Sequence, residues 1–355
     1  MGRKAGEGQG TEPRIIPGAP SAGAGHRVAG TIAPVLAVLT VTFPFFALVL
    51  AGYVAARRRM LPLEAIPGLN GFVLFFALPC MLYRFGATTP IAQLLDANVF
   101  FTWLLCALVI VAFTVATSLN ARIGWNDASF GALVAAFPNT GFMGVPLLVA
   151  LLGPRAAGPI IVTIVVDMVI TTSLCIALSR LDSADEHGFA HAAQNALKGM
   201  LFNPLPWSIL LGGIASAVSL ELPGPVLKTV GLLADAASPV ALFTIGAVLA
   251  RSQMRTSVDD PSLIPLGDYL PVALIKLLLH PLLVLLVGVT AAAMGVPLDR
   301  FALTVMVLVA ALPSASNVSM LAERFGADNG RIARIILVST AAAFLTFSGA
   351  VALMT

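Results

Sequence analysis

Apolar residues in this chain come in runs of about twenty, divided by short polar stretches, and that is the length of a helix that crosses a bilayer. About ten such runs can be marked. The first extends from about Ile32 to Ala56 and stops at Arg57-Arg58-Arg59, the second covers about Leu69 to Phe85, and the third about Val99 to Leu119. The fourth runs from about Ala128 to Leu152, the fifth from about Ile160 to Arg180, and the sixth from about Pro204 to Leu220. About Val226 to Ala250, Tyr269 to Met294, Arg300 to Glu323 and Ile332 to Met354 complete the set. Between the fifth and sixth runs, Phe189, Ala193, Leu197 and Met200 recur at helical spacing and predict a short interfacial helix.

Two runs are interrupted in the same way. The fourth contains Phe137-Pro138-Asn139-Thr140-Gly141, and the ninth contains Leu312-Pro313-Ser314-Ala315-Ser316-Asn317. A proline removes a backbone donor and clashes with the preceding turn. Asn, Thr and Ser then place polar groups at a depth where lipid offers no partner. Such a break is tolerated only inside protein or beside a watery cavity. Pro138 and Pro313 lie 175 positions apart in a chain of 355 residues, so each half holds one break. Pro79 in the second run answers Pro239 in the seventh. Each half holds five runs, an odd number, so the second half must enter the membrane upside down. Matching broken helices in two inverted halves point to a transporter binding site. The expected organisation is a disordered tail over residues 1–30, a first five-helix repeat over 31–180, a cytoplasmic linker over 181–202 and a second, inverted repeat over 203–355. The tail, rich in Gly, Ala and Pro, belongs to the native protein or follows from a start codon placed too early; its scattered basic residues do not read as a signal peptide.

Composition agrees with the pattern. Hydrophobic residues make up 58% of the chain and charged residues 10%, against roughly 25% charged in an ordinary soluble domain. The net charge of +3 needs no nucleic-acid partner, because cytoplasmic loops of membrane proteins are basic. With the N-terminus outside, those loops hold Arg57, Arg58, Arg59, Arg122, Arg180, Lys198, Arg251, Arg255, Arg324, Arg331 and Arg334. The opposite loops hold only Arg84, Arg155, Lys228 and Arg300, eleven against four. Both termini are therefore expected outside. Cys80, Cys106 and Cys175 lie within runs and read as small buried hydrophobes.

Ionisable residues inside a span are costly and are functional candidates by default. Asp167 in the fifth run, Asp235 in the seventh, and Lys276 with His280 in the eighth meet that description. Lys276 and His280 share a helix face. The competing expectation for each is a structural ion pair or packing group. At the breaks, Pro138, Asn139, Thr140, Gly141, Pro313, Ser314, Ser316 and Asn317 form the candidate substrate site. It would bind an anion by amides and helix dipoles without a formal charge. No nucleotide, hydrolase or zinc-protease motif is present. His187 and His191 have no third ligand nearby in sequence, and no metal or cofactor is expected.

The motifs Ala136-Phe137-Pro138-Asn139-Thr140-Gly141-Phe142-Met143-Gly144, Phe76-Ala77-Leu78-Pro79, Asn203-Pro204-Leu205, Ser238-Pro239-Val240-Ala241-Leu242-Phe243 and Leu312-Pro313-Ser314-Ala315-Ser316-Asn317 resemble the auxin efflux carrier family. The resemblance runs from about Val35 to the C-terminus. It implies an all-α integral membrane fold of about ten helices in two inverted repeats, with helices four and nine crossing at their prolines. Helices one, two, six and seven would form a scaffold, and the others a transport domain. It further implies an elevator-like carrier, a homodimer, for small carboxylates such as malonate, malate or auxin-like weak acids, in a bacterial inner membrane. Plant members carry an acidic and basic pair in the third span. Here that span holds no charge, Lys276 sits in the repeat-related eighth and Asp167 in the fifth, so proton, sodium and uncoupled transport all stay open. The alternatives are a sodium-coupled organic anion symporter of the bile-acid-carrier type and a non-transporting membrane sensor or scaffold.

Overall fold

A computed structural model describes residues 40, 43–88, 96–181, 204–259 and 264–354. The N-terminal tail, the start of the first run, and the linker with its interfacial helix and His187/His191 pair lie outside the described residues.

Helices account for the described architecture. They are α1 (Phe43–Arg57), α2 (Leu63–Thr88), α3 (Ala97–Ser118), α4 (Trp125–Ala136 and Thr140–Leu152) and α5 (Pro154–Leu178). The second half adds α6 (Pro204–Ala217), α7 (Gly224–Asp259), α8 (Leu266–Ala293), α9 (Arg300–Ala310 and Val318–Arg324) and α10 (Asn329–Met354). Among the described residues, α2, α3, α5, α8, α10 and the Gly224–Arg251 part of α7 are long and apolar enough to cross a membrane. The protein is a multi-pass, all-α membrane protein. Local chemistry sets the ends. Asp96 caps α3 by accepting from the N–H groups of Asn98 and Val99, and Asp299 caps α9 through Phe301. Gly153 ends α4 at a φ of 84°, a turn that side chains disfavour. The expected end of α7 near Ala250 falls nine residues short of Asp259. Hydropathy marks where apolar surface ends, whereas Arg251 to Asp259 contains no proline or glycine to stop the helix.

Helices α1, α2, α6 and α7 reveal the repeat in their packing. α1 meets α7 where a methyl group on Gly52 would overlap the Phe243 carbonyl, and one on Gly246 would overlap the Val49 carbonyl. α2 meets α6 in the same manner: Gly86 faces the Ile209 carbonyl and Gly212 faces the Tyr83 carbonyl. Only small residues allow backbones so close. Gly52 and Gly212 are 160 positions apart, as are Gly86 and Gly246, and Pro79 and Pro239. Exchanging the halves therefore exchanges one contact for the other.

Three of the remaining helices are tied at one end by Arg331, which is only 2% exposed. Its Nε donates to the Asp268 carbonyl and its Nη1 to the Asp127 carbonyl, both at 2.7 Å. Asp328 accepts from the Arg331 backbone N–H at 2.9 Å, and Asp127 accepts from the Asp328 N–H at 2.7 Å. Asp268 also pairs with Arg122 at 2.7 Å. The first turns of α4 and α8 are thus joined to the start of α10.

Candidate functional site

The two breaks meet and satisfy each other. The Asn139 N–H donates to the Pro313 carbonyl at 2.8 Å, and the Ala315 N–H donates to the Phe137 carbonyl at 3.0 Å. This is an isolated antiparallel bridge between Pro138 and Ser314, in the one kind of place where a membrane protein can hold non-helical backbone. The Ser314 N–H donates to Ser339 Oγ of α10 at 3.2 Å. Thr140 is buried, and both its N–H and its hydroxyl point to the Pro138 carbonyl, at 2.7 and 3.3 Å. Gly141 has open space where a side chain would stand. Two side-chain atoms are left over: Asn139 Oδ1 and Ser314 Oγ are buried without a hydrogen-bond partner.

A cavity adjoins Asn139, and a second shares Asn317 with it. The first, of about 30 Å³, lies between α2 (Leu74, Leu78, Leu82) and the crossover residues Pro138, Asn139, Gly141 and Asn317. A second, of about 70 Å³, is lined by Asn70 and Leu74 of α2, Arg251 of α7, and Ser316, Asn317 and Ser319 of the second break. Leu74, Phe142 and Asn317 border both.

Asp167, Lys276 and His280 come together behind the crossover. All three are fully buried. Lys276 Nζ donates to the Ala310 carbonyl at 2.8 Å. Ala310 closes the first half of α9, so the ammonium caps the negative end of that helix. Lys276 Nζ also lies 3.1 Å from His280 Nδ1. Against an ammonium, which only donates, Nδ1 accepts and the ring proton lies on Nε2, whereas a neutral amine is compatible with either tautomer. The Ala135 carbonyl faces the His280 ring, but Nε2 makes no hydrogen bond of ordinary geometry. Asp167 Oδ1 accepts from Trp103 Nε1 at 3.0 Å and from Thr171 at 3.2 Å, while Oδ2 has no partner. Trp103 links the two sides, its ring centroid 5.2 Å from that of His280. Asp235 does not join this group. It pairs with Arg84 at 2.7 Å, where the two side chains are 69% and 37% exposed.

Wide turns hold several of these residues. π-helical segments occur at Val73–Ala77, Thr140–Gly144, Val166–Thr171 and Ile275–Leu279. They contain Leu74 of the cavities, Thr140 and Gly141, Asp167, and Lys276, respectively. Such bulges are frequent at functional sites. Sequence reasoning missed Trp103, Thr171, Ser339, Asn70 and Arg251. Trp103 carried the one usable signal, an indole donor inside an apolar span that needs an acceptor when buried. No cluster of metal-ligating side chains is found among the described residues.

A crossed pair of broken helices in a multi-pass helical protein defines a membrane transporter. The chain belongs to the membrane transport protein family, which it matches over residues 37–351; this is the auxin efflux carrier family of the sequence resemblance. It is 29% identical over 307 residues to a Rhizobium meliloti (strain 1021) protein named "Putative malonate transporter", covering 86% of this chain and 92% of that protein. It is 28% identical to "Uncharacterized transporter YfdV" of Escherichia coli (strain K12), over 79% of this chain and 86% of the relative. "Auxin efflux carrier component 8" of Arabidopsis thaliana is 22% identical over 78% of this chain and 86% of its own length.

Proposed function

We propose that this protein carries a small carboxylate, of the malonate or malate kind, across a bacterial inner membrane by alternating access. The observation that carries the reading is the crossover itself, where Asn139 and Ser314 keep unpartnered polar atoms and Asn139 lines a small cavity. Amides and hydroxyls there bind an anion without the strong attraction of a fixed positive charge, so the anion can leave again. The relative named for malonate supports the substrate class. Helices α3 to α5 and α8 to α10 would move as one body against the α1, α2, α6 and α7 scaffold. Both termini would face outward, as the basic loops favour, and two copies would share the membrane as a homodimer. Asp167, Lys276 and His280 would form the charge-handling group behind the site.

Uptake of labelled malonate and malate into proteoliposomes, with an imposed pH gradient and with or without sodium, tests the reading. Saturable uptake competed by other carboxylates is the expected result. Absence of carboxylate flux from folded protein contradicts it and favours the sensor alternative. Obligatory sodium dependence would favour the bile-acid-carrier type.

A further inference from the structure

The smaller cavity is polar at one edge and apolar over the rest. Among the described residues that line it, Asn139 and Asn317 carry the polar side chains. On the α2 side stand Leu74, Leu78 and Leu82, four positions apart and so on one helix face. Leu78 and Leu82 are buried. Ile164 and Met168 of α5 add to the apolar wall. The leucine row lies where α2 is irregular: Leu74 is in the wide turn Val73–Ala77, and Pro79 follows Leu78. The cavity's volume, about 30 Å³, is room for two waters at roughly 10–15 Å³ each.

We propose that this leucine row is the size filter of the carrier, with Leu78 at its centre. It limits how large a carbon skeleton can extend from a carboxylate held at Asn139 and Asn317. The inference rests on the carboxylate-carrier reading and deepens it, from a charge class to compact acids without bulky substituents. The crossover amides offer the same hydrogen bonds to every carboxylate, so they cannot rank acids by size. The wall opposite them can. Apolar groups gain from contact with leucine while room lasts. Beyond that, each added methylene must displace buried side chains, and a close-packed interior resists it. A second carboxylate meets polar side chains in the larger cavity, from Ser316 and Ser319. That leaves the carbon between the two carboxylates against the leucine row.

The test is competition against labelled malonate uptake by the full-length protein in proteoliposomes, using unlabelled malonate, methylmalonate, ethylmalonate and butylmalonate. These acids carry the same two carboxylates and grow only at the central carbon. In wild type, butylmalonate is expected to compete more weakly than malonate by about tenfold or more, the scale on which a pocket sorts added methylenes. Leu78→Ala removes three carbons from the wall and is expected to bring butylmalonate close to parity. Leu78→Met, of similar volume, should keep the wild-type order. Leu74→Ala, at a half-buried position of the row, should relax the order in the same direction with less cost to packing. Equal competition by butylmalonate and malonate in wild type overturns the filter, however any variant folds. An unchanged order in both alanine variants, with uptake retained, assigns the row to packing and leaves the carrier intact. A wild type that takes up no carboxylate overturns both readings together.

Discussion

Asp167 is held by one oxygen and open at the other. Trp103 and Thr171 fix Oδ1, while Oδ2 has no partner and can accept a proton or another donor. A buried carboxylate that keeps its charge must be compensated, and an open oxygen beside a lysine makes the balance easy to alter. We expect uptake by wild type to vary with pH through this group. Asp167→Asn is permanently uncharged, so its uptake should flatten across the same pH range, and a wild-type profile in the variant would assign Asp167 to structure. Lys276 and Asp167 were legible as candidates because charges stand out in an apolar run. Asp235 stood out for the same reason, yet its partner Arg84 is 151 positions away, a pairing that spacing along one helix does not disclose. Arg251 escaped notice because it ends an apolar run, where a basic residue is expected at the membrane surface.

At the scale of elements, the breaks and the glycine contacts divide the work. Pro138 and Pro313 open the helices, and the reciprocal bonds of Asn139 and Ala315 make the crossing one rigid unit. Those breaks were readable, since proline followed by Asn or Ser is conspicuous among apolar residues. The helix pairing was not. Gly52, Gly86, Gly212 and Gly246 lie among many glycines, and only the packed backbones show which ones face a carbonyl. Because the two contacts are related by the repeat, Gly86→Leu and Gly246→Leu should damage the fold alike. Each is expected to cost about 3 kcal/mol or more through overpacking, seen as a similar fall in the melting temperature of detergent-solubilised protein. A large loss in one and none in the other would contradict the equivalence of the halves.

At the scale of the molecule, the glycine contacts and the Arg331 cluster each join helices from both halves of the chain. Arg331 joins the ends of α4, α8 and α10, and Gly131 leaves room for its guanidinium. Sequence reading placed Arg331 in a basic loop; burial by three helix ends needs the folded chain to be seen. Arg331→Met is expected to lower stability by about 3 kcal/mol, the scale for disrupting a buried ionic network, and to leave the preference among carboxylates unchanged. A shift in that preference without loss of melting temperature would move Arg331 from holding the body to shaping the site. The central claim is that the crossing of α4 and α9 is where the carboxylate binds. Equilibrium binding of labelled malonate to purified wild type and to Asn139→Ala and Asn317→Ala measures it most directly. The account predicts saturable binding in wild type and about tenfold weaker binding in each variant, the scale of one lost hydrogen bond to a charge, with melting temperatures retained. Wild-type affinity in both folded variants would contradict it.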